Sequence, residues 1–102
     1  MLTRIVKLTL KAENISSFEK LFDETHKSIR NFKGCVHLEL FRDTNDPRIF
    51  FTYSKWKNVT YLEAYRHSEF FKSIWAKTKP LFEEKAQAWS VESIQTDKEA
   101  KF

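Results

Sequence analysis

A single glycine in 102 residues leaves no Gly-rich loop to cradle a phosphate and no dinucleotide-binding fingerprint. A single cysteine, Cys35, excludes an intramolecular disulfide. No apolar run approaches the roughly 18 residues that span a membrane. The first residues, Met-Leu-Thr-Arg-Ile-Val-Lys, break their apolar positions with charge and lack the core of a signal peptide, so a cytoplasmic location is expected. The net charge is +4, yet Lys and Arg alternate with Asp and Glu and form no block that would track a phosphate backbone. Neither nucleic acid nor membrane is expected as a partner. The three histidines, His26, His37 and His67, have no helical i,i+4 partner or carboxylate pair at metal-ligand spacing. No Ser-His-Asp arrangement is legible either.

Large rings are what the chain does have, ten of them phenylalanine. They concentrate in Ile49 to Trp75, where an aromatic and β-branched run ending at Trp56 leads into helical spacing at Tyr61, Tyr65, Phe70, Phe71 and Trp75. Such a stretch builds either a thick core or a lined pocket. A chain of this length forms one domain, assigned to residues 1–95, with a polar tail over 96–102 expected to fray.

Residues 2–10 alternate as a strand that puts Leu2, Val6, Leu8 and Leu10 on one face together with Arg4. A cation on that face is either a satisfied structural group or a ligand contact. Ser16-x-x-Glu19 reads as a capping box for a helix carrying Ile15, Phe18, Leu21, Phe22 and Ile29, which Gly34 closes. A second strand runs from Cys35 to Arg42, its alternation putting Cys35 and His37 on a common face. Asp43 to Pro47 is turn chemistry, so a third strand to Trp56 pairs back antiparallel. Thr60-x-x-Glu63 reads as another capping box. Two helical stretches follow, broken near His67-Ser68 and ended by Pro80, with Leu81 and Phe82 in an irregular turn. The last strand is expected over Ala86 to Ile94. This order predicts an α+β, ferredoxin-like split βαβ fold, a four-stranded antiparallel sheet with helices on one face. Ile5, Phe41, Ile49, Phe51 and Tyr53 then fall on the opposite face, and a second copy of the chain is the simplest cover.

Residues 2–95 resemble the antibiotic biosynthesis monooxygenase family of dimeric α+β-barrel proteins. The resemblance is carried by Phe32-Lys33-Gly34-Cys35, Leu38-x-Leu-x-Arg-Asp43, Asp46-Pro47-x-x-Phe50, Tyr53-x-x-Trp56-Lys57 and Ser68-x-x-Phe71. It implies a homodimer formed through the sheet face. It also implies a monooxygenase that uses no cofactor and oxidises a small aromatic or quinol-like substrate with O₂ in a cavity between sheet and helices. The chain departs from the family in two places. Thr52 stands where characterised polyketide oxygenases carry Asn, and Tyr65 and Phe70 stand where many members carry His. The haem-degrading branch would need Asn, Trp and an axial His where this chain has Val6, Tyr65 and Trp75, which disfavours that activity. The candidate catalytic residues are therefore Arg4, Thr52 and Tyr65, with Phe22, Trp56, Phe71 and Trp75 as cavity walls. A non-catalytic dimer that holds a small apolar metabolite is the alternative.

Overall fold

The computed structural model describes residues 1–96. The expectation for the tail beyond them lies outside the described residues. Strands β1 (Leu2–Leu10), β2 (Cys35–Arg42), β3 (Ile49–Trp56) and β4 (Phe82–Val91) form one sheet in the order β2-β3-β1-β4, every neighbouring pair antiparallel. Helix α1 (Ile15–Arg30) links β1 to β2, and α2 (Val59–Arg66) and α3 (Glu69–Thr78) link β3 to β4. This is the ferredoxin-like arrangement the element order implied. The helices cover one sheet face, and the core there divides into two clusters. Leu8, Leu10 and Phe50 pack on Phe18 of α1, while Cys35 and Trp56 pack on Leu62 of α2.

Local chemistry explains how each helix begins. Neither expected capping box forms. Helix α1 is entered from a 3₁₀ turn, Ala12–Asn14, and its Asn14 cap makes no side-chain bond to the helix. The Asn14 amide donates instead to the Leu81 carbonyl at 3.4 Å, tying the helix start to the strand before it re-enters the sheet. At α2 the cap is Asn58, two residues before the expected Thr60. Its extended backbone and Oδ1, which accepts from Tyr61 N–H at 3.2 Å, make it the better-placed acceptor. Ser68 caps α3, accepting from Phe71 N–H at 3.0 Å, so the break at His67-Ser68 falls where the sequence put it.

Gly34 has φ near 90°, a left-handed conformation that stops the chain after α1 and turns it into β2. Tyr61 lies directly over it, leaving no room for a Cβ.

Two further expectations are corrected. A bulge between Cys35 and His37 sets two steps of β2 against one step of β3, since Cys35 opposes Trp56 and His37 opposes Lys55. Cys35 therefore faces the helices, whereas His37 lies on the outer face edge-on to Tyr53. The two do not share a face. Strand β4 starts at Phe82 and ends at Val91, displaced toward the N-terminus from the expected 86–94. Pro80 lies in a 3₁₀ turn, Lys79–Leu81, from which the chain emerges already extended. The charged residues 83–85 that hid this start are tolerated because β4 is an edge strand.

Candidate functional site

The face of the sheet under the helices is laid out in rows by the strand register. Arg4 on β1 is flanked by Ser54 on β3 and Ser90 on β4. Two residues further along β1, Val6 is flanked by Thr52 and Ala88, and then Leu8 by Phe50. Between this floor and the helices lies a cavity of about 320 Å³. Its roof comes from Leu21, Phe22 and Thr25 of α1, Leu62, Tyr65 and Arg66 of α2, and Phe71, Ile74 and Trp75 of α3. Because β4 contributes only Ala86 and Ala88 to the lining, no large side chain closes the space beside that edge strand. Arg66 and Ala88 are exposed and mark the mouth.

The walls are a continuous set of rings. Tyr65 stacks on Trp56 with centroids 5.0 Å apart and meets Phe71 edge-on at 5.0 Å. Phe71 stacks on Trp75 at 5.9 Å, and behind the wall Trp75 meets Phe82 edge-on at 5.5 Å, Phe82 itself lying outside the lining. Trp56, only 1% exposed, donates its indole N–H to Ser54 Oγ at 3.0 Å. It is a core residue and a cavity wall together.

Among the described residues both charged lining groups are guanidiniums, Arg4 and Arg66. Arg4 donates to Ser90 Oγ at 2.9 Å, and burial together with the nearby Arg66 charge lowers its pKa from the usual value, partly offset by Glu63. Guanidinium nonetheless stays protonated in proteins. Arg66 donates to Glu63 at 3.0 Å, and the same carboxylate faces His67 Nε2 at 3.3 Å. Glu63 itself is not in the lining. Burial raises the pKa of the Tyr65 phenol far above its ordinary value, with a smaller contribution from Cys35. It is held as a neutral hydroxyl and hydrogen-bond donor. The Thr25 and Thr78 hydroxyls are used within their helices, donating to Leu21 and Ile74 carbonyls at 2.8 and 2.7 Å.

All seven candidate residues border this one cavity: Arg4, Thr52 and Tyr65 with Phe22, Trp56, Phe71 and Trp75. The histidines lie elsewhere. His26 stacks on Phe22 in an open groove beside Arg42 and Glu19. His37 pairs with Glu39 on the outer sheet face, and His67 is exposed beside Glu63. Among the described residues no three His, Cys, Asp or Glu side chains converge as a metal site would require. Nor is any helix long and apolar enough to cross a membrane.

Sequence reasoning missed Ser54, Arg66, Ala86 and Ala88. Ser54 was within reach, because it lies two residues from both Thr52 and Trp56 and so on the same strand face.

A family model described as antibiotic biosynthesis monooxygenase matches residues 1–77. Solved structures agree over nearly the full length. A crystal structure of an antibiotic biosynthesis monooxygenase superposes with TM-score 0.86 at 21% identity, covering 93% of this chain and 100% of that one. A conserved protein from Methanosarcina mazei Go1 gives 0.83 at 20%, covering 89% and 91%. The protein Rv0793 from Mycobacterium tuberculosis gives 0.84 at 15%, covering 93% and 96%. At these identities the structures establish a shared fold. No curated protein matches the chain.

Proposed function

The chain belongs to the antibiotic biosynthesis monooxygenase family, and from that premise we propose that its cavity binds a small aromatic or quinol-like substrate and promotes oxidation by O₂ without a metal or organic cofactor. The observation that carries this reading is a ring-walled cavity of about 320 Å³ whose charged lining groups are both cationic. That combination favours the anion of a phenolic ring and keeps it short of water, and desolvation strengthens each electrostatic contact it makes.

In this mechanism the positive field of Arg4 and Arg66 draws in and anchors an anionic substrate. The Thr52 and Tyr65 hydroxyls donate to its oxygen substituent, and Phe22, Trp56, Phe71 and Trp75 clamp the ring. Among the described residues the lining holds no His, Asp or Glu. The first proton therefore leaves the substrate for solvent, and the substrate supplies its own acidity. The anion passes one electron to O₂, and the resulting ring radical and superoxide combine to form a C–O bond. The peroxide takes a proton on its outer oxygen and then loses water with the remaining C–H proton. A ring CH₂ and O₂ thereby become C=O and H₂O, all four electrons coming from the substrate.

The same lack of a proton acceptor supports a second reading, a non-catalytic protein that holds a small apolar metabolite in this cavity. Oxygen uptake with a reduced quinol and an anthrone-type phenol tests the choice, with heat-inactivated protein to subtract autoxidation and a chelator to remove adventitious metal. Saturable uptake that survives chelation supports the oxygenase. Saturable binding of the same compounds without uptake supports the carrier.

The assembly proposed with this function is a homodimer through the outer sheet face. Phe41, Trp89 and Val91 there are each more than 40% exposed, next to Ile5, Ile49, Phe51 and Tyr53. Apolar surface of this kind marks an interface. Sedimentation of the chain and of Phe51→Glu tests it, with a single dimer that the substitution dissociates as the expected result.

A further inference from the structure

We propose that the ligand of this cavity carries a carboxylate, gripped at the mouth between Arg4 and Arg66, with its ring system running inward past Thr52. The inference rests on reading the cavity as the substrate site and specifies what that substrate bears.

The argument begins with an imbalance. Two guanidiniums reach the same mouth, one from β1 and one from the last turn of α2, and among the described residues no acidic side chain lines the space between them. Glu63, outside the lining, takes one hydrogen bond from Arg66 at 3.0 Å. Arg4 spends one donor on Ser90 Oγ at 2.9 Å. A guanidinium has five N–H donors in a planar fork, so each arginine keeps most of its capacity unused. The Arg4 and Arg66 charges repel one another, and Glu63 offsets that repulsion only in part. Burial first, and then the Arg66 charge, lowers the Arg4 pKa.

The charge count selects the anion. Arg4 and Arg66 against Glu63 leave one positive charge in excess. A carboxylate neutralises it, whereas a phosphate monoester would overshoot, since it carries about −1.5 to −2 near neutral pH. Fork geometry also suits a carboxylate, which accepts two parallel N–H bonds.

The strand register sets the ligand's direction. The rows of Arg4, Val6 and Leu8 follow one another along β1, so at about 3.3 Å per residue the floor runs roughly 13 Å from the charged mouth to the apolar end. Thr52 sits one row inside, beside Val6. An acid group at the mouth therefore leaves the ring over the Val6–Thr52 row, with Trp56 one row to the other side of Arg4. The ligand class is a small planar ring acid.

Calorimetric titration with 2-naphthoate and its neutral counterpart 2-naphthamide tests the proposal on the full chain and on Arg66→Gln. Arg66 is exposed, so the substitution leaves the core untouched. The expected result is that 2-naphthoate binds at least about tenfold more tightly than 2-naphthamide, the worth of one charge-assisted contact. Arg66→Gln should remove most of that preference and leave 2-naphthamide within about twofold. Equal affinity of the two probes for the unmodified chain overturns the carboxylate and leaves the cavity as a site for neutral rings. A preference that survives Arg66→Gln overturns the arginine pair as its source. If neither probe binds at about 1 mM, the cavity itself fails as a site for ring compounds.

Discussion

Replacing Arg4 by leucine separates a functional cation from a structural one. Arg4 is half-buried on the floor row that it shares with Ser54 and Ser90, and its hydrogen bond to Ser90 lies at an exposed position. Exposed polar contacts contribute about 0–1 kcal/mol, and removing this one also relieves repulsion from Arg66. Leucine retains most of the apolar stem. Folding stability should therefore change by no more than about 0.5 kcal/mol, a melting shift of at most about 4 °C in a domain this size. Function should respond very differently. A hydrogen bond to a charged group contributes about 1.5–3 kcal/mol, so ligand affinity or the rate of oxygen uptake should fall about 10- to 150-fold. Urea unfolding followed by tryptophan fluorescence measures the first quantity, and uptake or calorimetry measures the second. Arg4→Lys supplies a control that keeps the charge and loses the fork. A stability loss above about 2 kcal/mol with normal uptake by the molecules that remain folded would refute the reasoning and make Arg4 a structural cation.

Three other outcomes follow from particular contacts. Ser54→Ala removes the acceptor of the buried Trp56 indole N–H and should cost about 1–3 kcal/mol in urea unfolding, whereas a neutral result would mean that the indole finds another partner. Gly34→Ala puts a Cβ 2.3 Å from Tyr61 atoms at a left-handed φ, so a loss of more than about 2 kcal/mol is expected, and a loss under 0.5 kcal/mol would show that the turn reshapes freely. Oxygen uptake should rise about tenfold per pH unit up to the substrate's own pKa and then level off. Tyr65 should add no inflection below pH 10, because burial raises its pKa and keeps it protonated throughout that range. An inflection that is independent of the substrate would point to a titrating protein group and refute the reading that the substrate supplies its own acidity.

The fold was legible because its signals are periodic and redundant. Alternation along β1 assigned Leu8 and Leu10 to the helix side, and both are buried there. Gly34 marked the end of α1 because only that position demands a left-handed backbone. What alternation does not encode is a change of phase. The bulge at the start of β2 inserts one residue, so Cys35 and His37 land on opposite faces although their spacing is even. The capping boxes misled for a related reason. Ser16 and Thr60 have the right partners three residues on, but the backbone had already turned helical before each was reached. A capping motif states what a side chain can do, while the geometry of entry decides whether it does.

The candidate site was legible where the side chain is large and hidden where it is small. Phe22, Trp56, Phe71 and Trp75 announce themselves by size, and the cavity exists because of residues that do not. Ala86 and Ala88 leave the space under α3 open, yet in the sequence they alternate with Gln87 and Trp89, and the conspicuous ring points to the other face. With the strand start placed four residues late, Ala86 read as a strand terminus and not as a floor position. Arg66 was hidden in another way. It follows Tyr65 directly, and adjacent helical residues point about 100° apart, so one lining residue does not imply the next. Arg66 reaches the mouth because α2 ends there, with Glu63 one turn back holding its guanidinium. The contents of a cavity thus depend on where elements end and on which positions are left unfilled. Neither is a periodic property, so both require the register and the helix ends to be seen.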